Sequence, residues 1–244
     1  QGRINKIYQP FERELLFHIR AQGKNQKLLL SANPTYPRAY LTEQTFPNPD
    51  VAPMFCMLLR KHLEGGVIEQ IEQNELERTI TFHVRSRDEL GDMHQKQLVI
   101  EIMGRHSNIL LIDPVRQIIM DGIHHVTPSM SAHRAVLPGR AYIAPPDQGK
   151  LNPFQCDQET FFKKINFNLG KLDQQIVQSF SGISPLLAKE ILHKAGLPNR
   201  ENLWQSFQQV IQRIQEQDYE PAIIVDQGKE YFYLFQLDHL NNAP

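Results

Sequence analysis

The chain reads as an α+β protein, β-rich over its first 150 residues and helical beyond them. Three observations predict this. Short apolar runs of strand length, bounded by turn residues, recur through the first half. A stretch rich in proline and glycine, Leu137–Asn152, then interrupts the pattern. After it, apolar residues return at helical spacing, as in Leu186, Leu187, Ile191 and Leu192.

Arg3–Gln9 and Arg13–Arg20 are two strand-like runs with Pro10 between them, as in a hairpin. Leu28–Leu30 begin a buried strand that ends at Asn33-Pro34. The loop that follows carries Pro34, Pro37, Pro47, Pro49 and Pro53, and proline cannot donate to a ladder, so no central strand is expected there. Pro53 opens a helix over Met54–Glu64, with Phe55, Leu58, Leu59 and Leu63 on one stripe and Gly65-Gly66 as the stop. Strand patterns resume at Val67–Ile71, Thr79–Arg85, Gln97–Met103, Ser107–Asp113 and Ile118–His124. Together they predict a sheet sandwich with one or two packed helices. Beyond the linker, helices are predicted over Asp157–Ile165, Leu169–Phe180, Ser184–Lys194 and Glu201–Gln217. A last hairpin is predicted from Ala222–Val225 and Tyr231–Leu237 around Gln227-Gly228. The expected division is therefore 1–150, 151–220 and 221–244.

Composition narrows the class. Hydrophobic residues make up 41% of the 244 and charged residues 22%, as in ordinary globular proteins. No apolar run reaches the roughly 18 residues of a membrane span, so no membrane association is expected. Cys56 and Cys156 are too few and too far apart for a disulfide framework, which points to a reducing, cytoplasmic setting. The net charge of −1 argues against a generic nucleic-acid binder. Its distribution is uneven: Gln1–Tyr40 carries an excess of five positive charges and Leu41–Glu101 an excess of five negative ones. Such a separation leaves room for a basic face on a neutral protein.

Catalytic and metal signatures are missing. The sequence holds no Gly-x-Ser-x-Gly elbow, phosphate loop or dinucleotide fingerprint. His124 and His125 are adjacent, so on a strand they face opposite ways, and no Cys/His cluster has zinc spacing. No catalytic residue, cofactor or metal is expected. Three segments do carry binding chemistry. Arg20-Ala-Gln-Gly-Lys-Asn-Gln-Lys27 is a basic turn from which Arg20, Lys24 and Lys27 can reach phosphates, or simply a solvated hairpin tip. Glu101-Ile-Met-Gly-Arg-His-Ser-Asn108 crowds Arg105, His106, Ser107 and Asn108 into one turn, as a binding loop or as groups that satisfy their own backbone. Around Gly182, a Gly-Ile turn precedes Ser184 as N-cap and Pro185 at the first helical position. That arrangement suits either a backbone phosphate at a helix N-terminus or a plain turn between packed helices.

Taken in order, Arg3–Pro10, Leu16–Ala32, Pro53–His62, Glu101–Asn108, Pro128–Met130 with Leu137–Gly139, and the Gly182 hairpin resemble the NFACT family across essentially the whole chain. The resemblance implies an NFACT-N domain, with a fold like the N-terminal domain of formamidopyrimidine-DNA glycosylase, followed by a helix-hairpin-helix domain. It also implies a factor that binds large (50S) ribosomal subunits holding peptidyl-tRNA on a stalled nascent chain. Such a factor recruits alanyl-tRNA for template-free alanine tailing, while the ribosome makes the bond. The family's tRNA-recruiting Asp-Arg pair falls here on Glu77-Arg78, so a glutamate stands where the family has aspartate. The resemblance thus implies tRNA contact at Glu77 and Arg78, with Glu101, Ile102, Met103, Arg105 and His106 expected to share that contact, while the basic turn and the Gly182 turn make Arg20, Lys24, Lys27, Gly182 and Ser184 the expected backbone phosphate contacts. It further implies about one helix of sequence before Gln1, and a coiled coil with an RNA-binding domain after Pro244.

Two other functions are compatible with the family. One is a surface adhesin for fibronectin, from the family's older name, although the sequence offers no export signal or anchor. The other is a glycosylase-like DNA-binding protein, suggested by the implied fold and opposed by the absence of zinc spacing.

Overall fold

The structure is a computed structural model that describes residues 1–197 and 199–240. Contacts divide the chain into Gln1–Pro146 and Asp147–Pro244.

In the first unit, nine strands hydrogen-bond into one antiparallel sheet. In chain order they are β1 (Gly2–Phe11), β2 (Glu14–Ala21), β3 (Lys24–Ser31), β4 (Arg38–Thr42), β5 (Val67–Gln73), β6 (Thr79–Arg87), β7 (Met93–Glu101), β8 (Asn108–Asp113) and β9 (Ile118–Gly122). Across the sheet the order is β4-β3-β2-β1-β5-β6-β7-β8-β9. The expected sandwich of two sheets is therefore replaced by a single one. The join is short: β1 meets β5 only at Gly2 with Ile68 and Arg3 with Val67. That seam leaves no separate edges for two sheets.

Pro10 does not lie between strands as expected, because β1 runs through it to Phe11. The β1–β2 pairing shifts register between Tyr8 and Phe11, and an irregular rung is where a strand tolerates a residue with no N–H. The proline-rich loop does contain a strand, β4, which is an edge strand. Between β2 and β3 the turn is the two residues Gln22 and Gly23, at φ 51° and 73°. Those angles mark the hairpin turn whose twist matches its strands.

Helix α1 (Met54–Leu63) buries Phe55, Cys56, Leu59 and Leu63. They join one core with Ile4, Ile7, Leu15 and Phe17 of β1–β2 and with Phe82, Leu98, Ile100 and Leu111 of β6–β8. The opposite face of β7–β9 buries Val99, Leu110, Ile112 and Ile119 under Val136. β7 and β8 are thus covered on both faces, which explains their unbroken apolar runs.

The second unit contains α2 (Gln158–Lys164), α3 (Leu172–Ser179), α4 (Pro185–Ala195) and α5 (Arg200–Gln215), then the hairpin β10 (Ala222–Asp226) and β11 (Lys229–Tyr233). Phe161, Phe180, Trp204 and Phe207 pack their rings together at its centre, with centroids 4.8–6.0 Å apart. The segment expected to stand apart over 221–244 adds Ile224, Phe235 and Leu237 to this same core. Its last four residues, 241–244, lie outside the described residues. Among the described residues no helix is long and apolar enough to cross a membrane.

Candidate functional site

β5 and β6 are joined by a polar turn, and β7 and β8 by a single 3-10 turn over Gly104–His106. Because β6 and β7 pair from Thr79 opposite Glu101, the two connections leave the sheet side by side. One main-chain bond ties them: the Ile102 N–H donates to the Arg78 carbonyl at 2.8 Å. Glu77 and Arg78 are exposed, as are Arg105 and His106, while Ile102 and Met103 are half-buried between them. The Gln73 amide donates to the Glu77 carbonyl at 2.8 Å, which leaves the Glu77 side chain free of that turn. The result is a small face of two guanidinium groups, an imidazole and a carboxylate on two turns tied by that main-chain bond.

The polar crowd at 105–108 splits into two pairs. The Ser107 hydroxyl accepts the Met103 N–H at 2.9 Å. The buried Asn108 side chain accepts N–H bonds from Ile109 and His124 and donates to the His124 carbonyl. These two satisfy the backbone. Arg105 and His106 remain at the surface, 3.2 Å apart from Nε to Nε2.

Glu101 corrects the sequence expectation. It is 0% exposed, so it cannot touch a macromolecule. Its carboxylate takes both Nη1 and Nη2 of Arg134, at 2.7 and 2.5 Å, and the Tyr142 hydroxyl at 2.9 Å. Arg134 also donates to the Ile143 carbonyl at 2.8 Å. Burial alone would oppose the Arg134 charge, but the Glu101 carboxylate outweighs it and holds the guanidinium pKa above its ordinary value. Burial, reinforced by Glu101, also pushes the Tyr142 hydroxyl upward. Arg134 and Tyr142 escaped the sequence reading because they lie 33 and 41 residues from their partner. The available signal was Glu101 itself, an acid ending the apolar run Leu98-Val99-Ile100, which needs a cation once buried.

The basic hairpin tip is not part of this face. Ala21 pairs with Gly2, and Gly2 with Ile68 at the start of β5. The tip therefore lies about 20 Å along β5 from the Glu77–Arg78 turn. Arg20 and Lys24 project into solvent there, Arg20 bonding Asn25 at 3.0 Å, while Lys27 reaches the Gln44 carbonyl at 3.4 Å. In the second unit, Gly182 adopts φ 76° and is exposed. The Ser184 hydroxyl caps α4 by accepting the Leu187 N–H at 3.2 Å.

A family model described as the NFACT N-terminal and middle domains matches residues 1–244. The chain is 51% identical over 239 residues to the Rqc2 homolog RqcH of Bacillus subtilis, covering 98% of this chain and 42% of that protein. The chain thus spans about two-fifths of the length of the curated relatives it matches. Among solved structures, the fibrinogen binding protein from Staphylococcus aureus superposes with a TM-score of 0.88 at 36% identity, over 99% of this chain and 86% of that one. The N-terminal part of the fibronectin/fibrinogen-binding protein from Streptococcus suis does so with a TM-score of 0.81 at 36% identity, over 100% and 85%.

Proposed function

The chain belongs to the NFACT family, and on that premise we propose that it is the tRNA-holding part of a ribosome-associated quality-control factor. In this reading the whole protein works in the cytoplasm on large subunits with a stalled peptidyl-tRNA. It brings in alanyl-tRNA, and the ribosome adds alanines to the nascent chain without a template. The chain supplies position and no bond-making group of its own.

The observation that carries the reading is the main-chain bond between Arg78 and Ile102, which unites the turns that sequence resemblance marks for tRNA. On it, Arg78 and Arg105 take phosphates, and Glu77 accepts from a base edge or a ribose hydroxyl. Ile102 and Met103 offer an apolar rest for a base. Glu101 acts from below by fixing Arg134 and Tyr142. The tip at Arg20, Lys24 and Lys27, and the Gly182–Ser184 turn of a helix-hairpin-helix unit, serve as separate backbone contacts.

The test replaces Glu77 and Arg78 together by alanine and measures tRNA retention on filters over a salt series. Affinity should fall at least tenfold, and the dependence of log affinity on log salt should flatten by about one unit. Unchanged binding removes the pair from the site. Sequencing the tRNA that copurifies with the full-length protein then identifies the substrate, and an absence of alanine-tRNA enrichment overturns the alanyl-tRNA assignment.

A second reading rests on the names of the solved neighbours, which describe fibrinogen and fibronectin binding. Cell fractionation separates the two: a surface pool supports adhesion, and a ribosome-bound pool supports quality control.

A further inference from the structure

Beneath the last turn of α1, at the far end of β6 and β7, a cavity of about 410 Å3 opens to solvent. Its walls include Lys61, His62, Arg87, His94, Lys96 and Arg116. Lys96 is only 8% exposed. It lies on the inward side of β7, in line with Leu98 and Ile100 and directly opposite the core residue Val84. Its stem is therefore packed, and its ammonium is carried to the cavity wall. Among the described residues that ammonium makes no hydrogen bond and no ion pair, so it faces the open cavity as a free donor on a packed stem.

Three carboxylates also line the cavity, Asp88, Glu89 and Asp113, and each has a protein partner of its own. Glu89 faces Lys61 at 3.8 Å. Asp88 bonds His94 at 2.8 Å and accepts the N–H groups of Leu90 and Asp92. Asp113 accepts the N–H groups of Val115 and Arg116. The Ser86 hydroxyl occupies the His62 carbonyl at 2.6 Å, so a carbonyl at the negative end of α1 is engaged as well. The Arg116 guanidinium, on the β8–β9 turn, likewise has no protein partner among the described residues.

We propose that this cavity binds a phosphoryl group. Donors converge on it from three elements: Lys61 and His62 on α1, Lys96 on β7 and Arg116 on the β8–β9 turn. A tetrahedral oxyanion can meet donors from three directions, whereas a planar carboxylate presents two oxygens in one plane. Lys96 and Arg116 supply the charge. Burial, with Lys96 and Lys61 nearby, lowers the His62 pKa, so that ring offers a neutral N–H. The group has two possible sources, free phosphate or the terminal phosphate of an RNA. The site is separate from the Glu77–Arg78 face and does not depend on that reading.

Calorimetric titration of the 244-residue chain tests it, with inorganic phosphate, a short 5′-phosphorylated RNA and the same RNA with a 5′-hydroxyl. Lys96→Met keeps the packed stem and removes the charge. Arg116→Gln changes an exposed turn and leaves the core alone, so it decides the matter if Lys96→Met fails to fold. Each should weaken phosphate binding about tenfold or more, while alanines at Glu77 and Arg78 leave it unchanged. Preference for the phosphorylated RNA assigns the group to an RNA end, and a response to inorganic phosphate alone assigns it to the free anion; either supports the site. No heat from any phosphate probe at millimolar concentration overturns it, as does equal affinity in wild type and both folded variants.

Discussion

At the scale of single residues, the Glu101 carboxylate decides how the site should be perturbed. The carboxylate is fully buried, so removing Arg134 leaves it without its cation, and removing Glu101 takes the paired acid from a guanidinium that is largely buried. Glu101→Ala and Arg134→Ala should each cost about 3–4 kcal/mol in denaturant unfolding. The double variant should cost clearly less than their sum, with a coupling of about 2 kcal/mol. Strict additivity would contradict the clamp. tRNA affinity distinguishes the same model: if Glu101 acts by position, Arg134→Ala lowers binding as much as Glu101→Ala does. The sequence displayed Glu101, Ser107 and Asn108 as polar residues in one stretch but not their duties. Those duties depend on what stands across the strand or 33 residues away. Lys96 was equally silent, because a lysine ahead of an apolar run looks like a strand entering solvent.

At the scale of elements, local chemistry was readable wherever one residue dictates the backbone. Gln22-Gly23 and Gln227-Gly228 are both two-residue turns at positive φ, and Ser184-Pro185 starts α4 as its cap chemistry requires. The strand pattern of β7 is visible only from Gln97, because its opening Met93-His-Gln-Lys96 lacks apolar alternation and is held as strand by β6 alongside. Pro10 misled for the opposite reason: its local rule was overridden by a register shift. The link from α1 to β5 supplies a sharp comparison. Gly65 has φ 82° with open space around it, whereas a Cβ on Gly66 would lie 2.9 Å from the Leu63 carbonyl oxygen and 3.1 Å from that of Arg85. Gly65→Ala should cost about 1 kcal/mol from backbone strain. Gly66→Ala should cost more, about 2–3 kcal/mol, because main chain closes on it from two sides. Thermal unfolding that ranks them the other way round would refute this account of the link.

At the scale of the whole chain, the two units can be followed separately. The only tryptophan of the sequence, Trp204, is buried in the second unit's aromatic core. Its fluorescence should report that unit's unfolding and stay unmoved by Glu101→Ala. The same unit carries the fully buried Glu190, which accepts the Asp238 and His239 N–H groups at 3.0 Å and the His239 ring at 2.6 Å. Burial alone would raise the Glu190 carboxyl, but the His239 ring and these N–H groups bring it below its ordinary 4.5. A depressed carboxyl contributes its stability above pH 4.5 and loses it as pH falls through the lowered value. The Trp204 transition should therefore weaken in acid below pH 4.5, and Glu190→Gln should remove most of that dependence while costing about 3 kcal/mol at neutral pH. An acid response that persists in Glu190→Gln would place its origin elsewhere. The change from strand to helical pattern near the linker was visible in the sequence because periodicity is local. The single sheet was not, since two rungs between β1 and β5 create it.

The bond from Ile102 to Arg78 joins main-chain atoms only. The frame of the proposed tRNA face is thus indifferent to which side chains stand at 77 and 78. Other side chains can stand at 77 and 78 with the turn still locked to its neighbour, so the proposed contact can be re-lettered without reopening the question of whether the sheet folds. Recognition and architecture are written in different atoms of the same two residues.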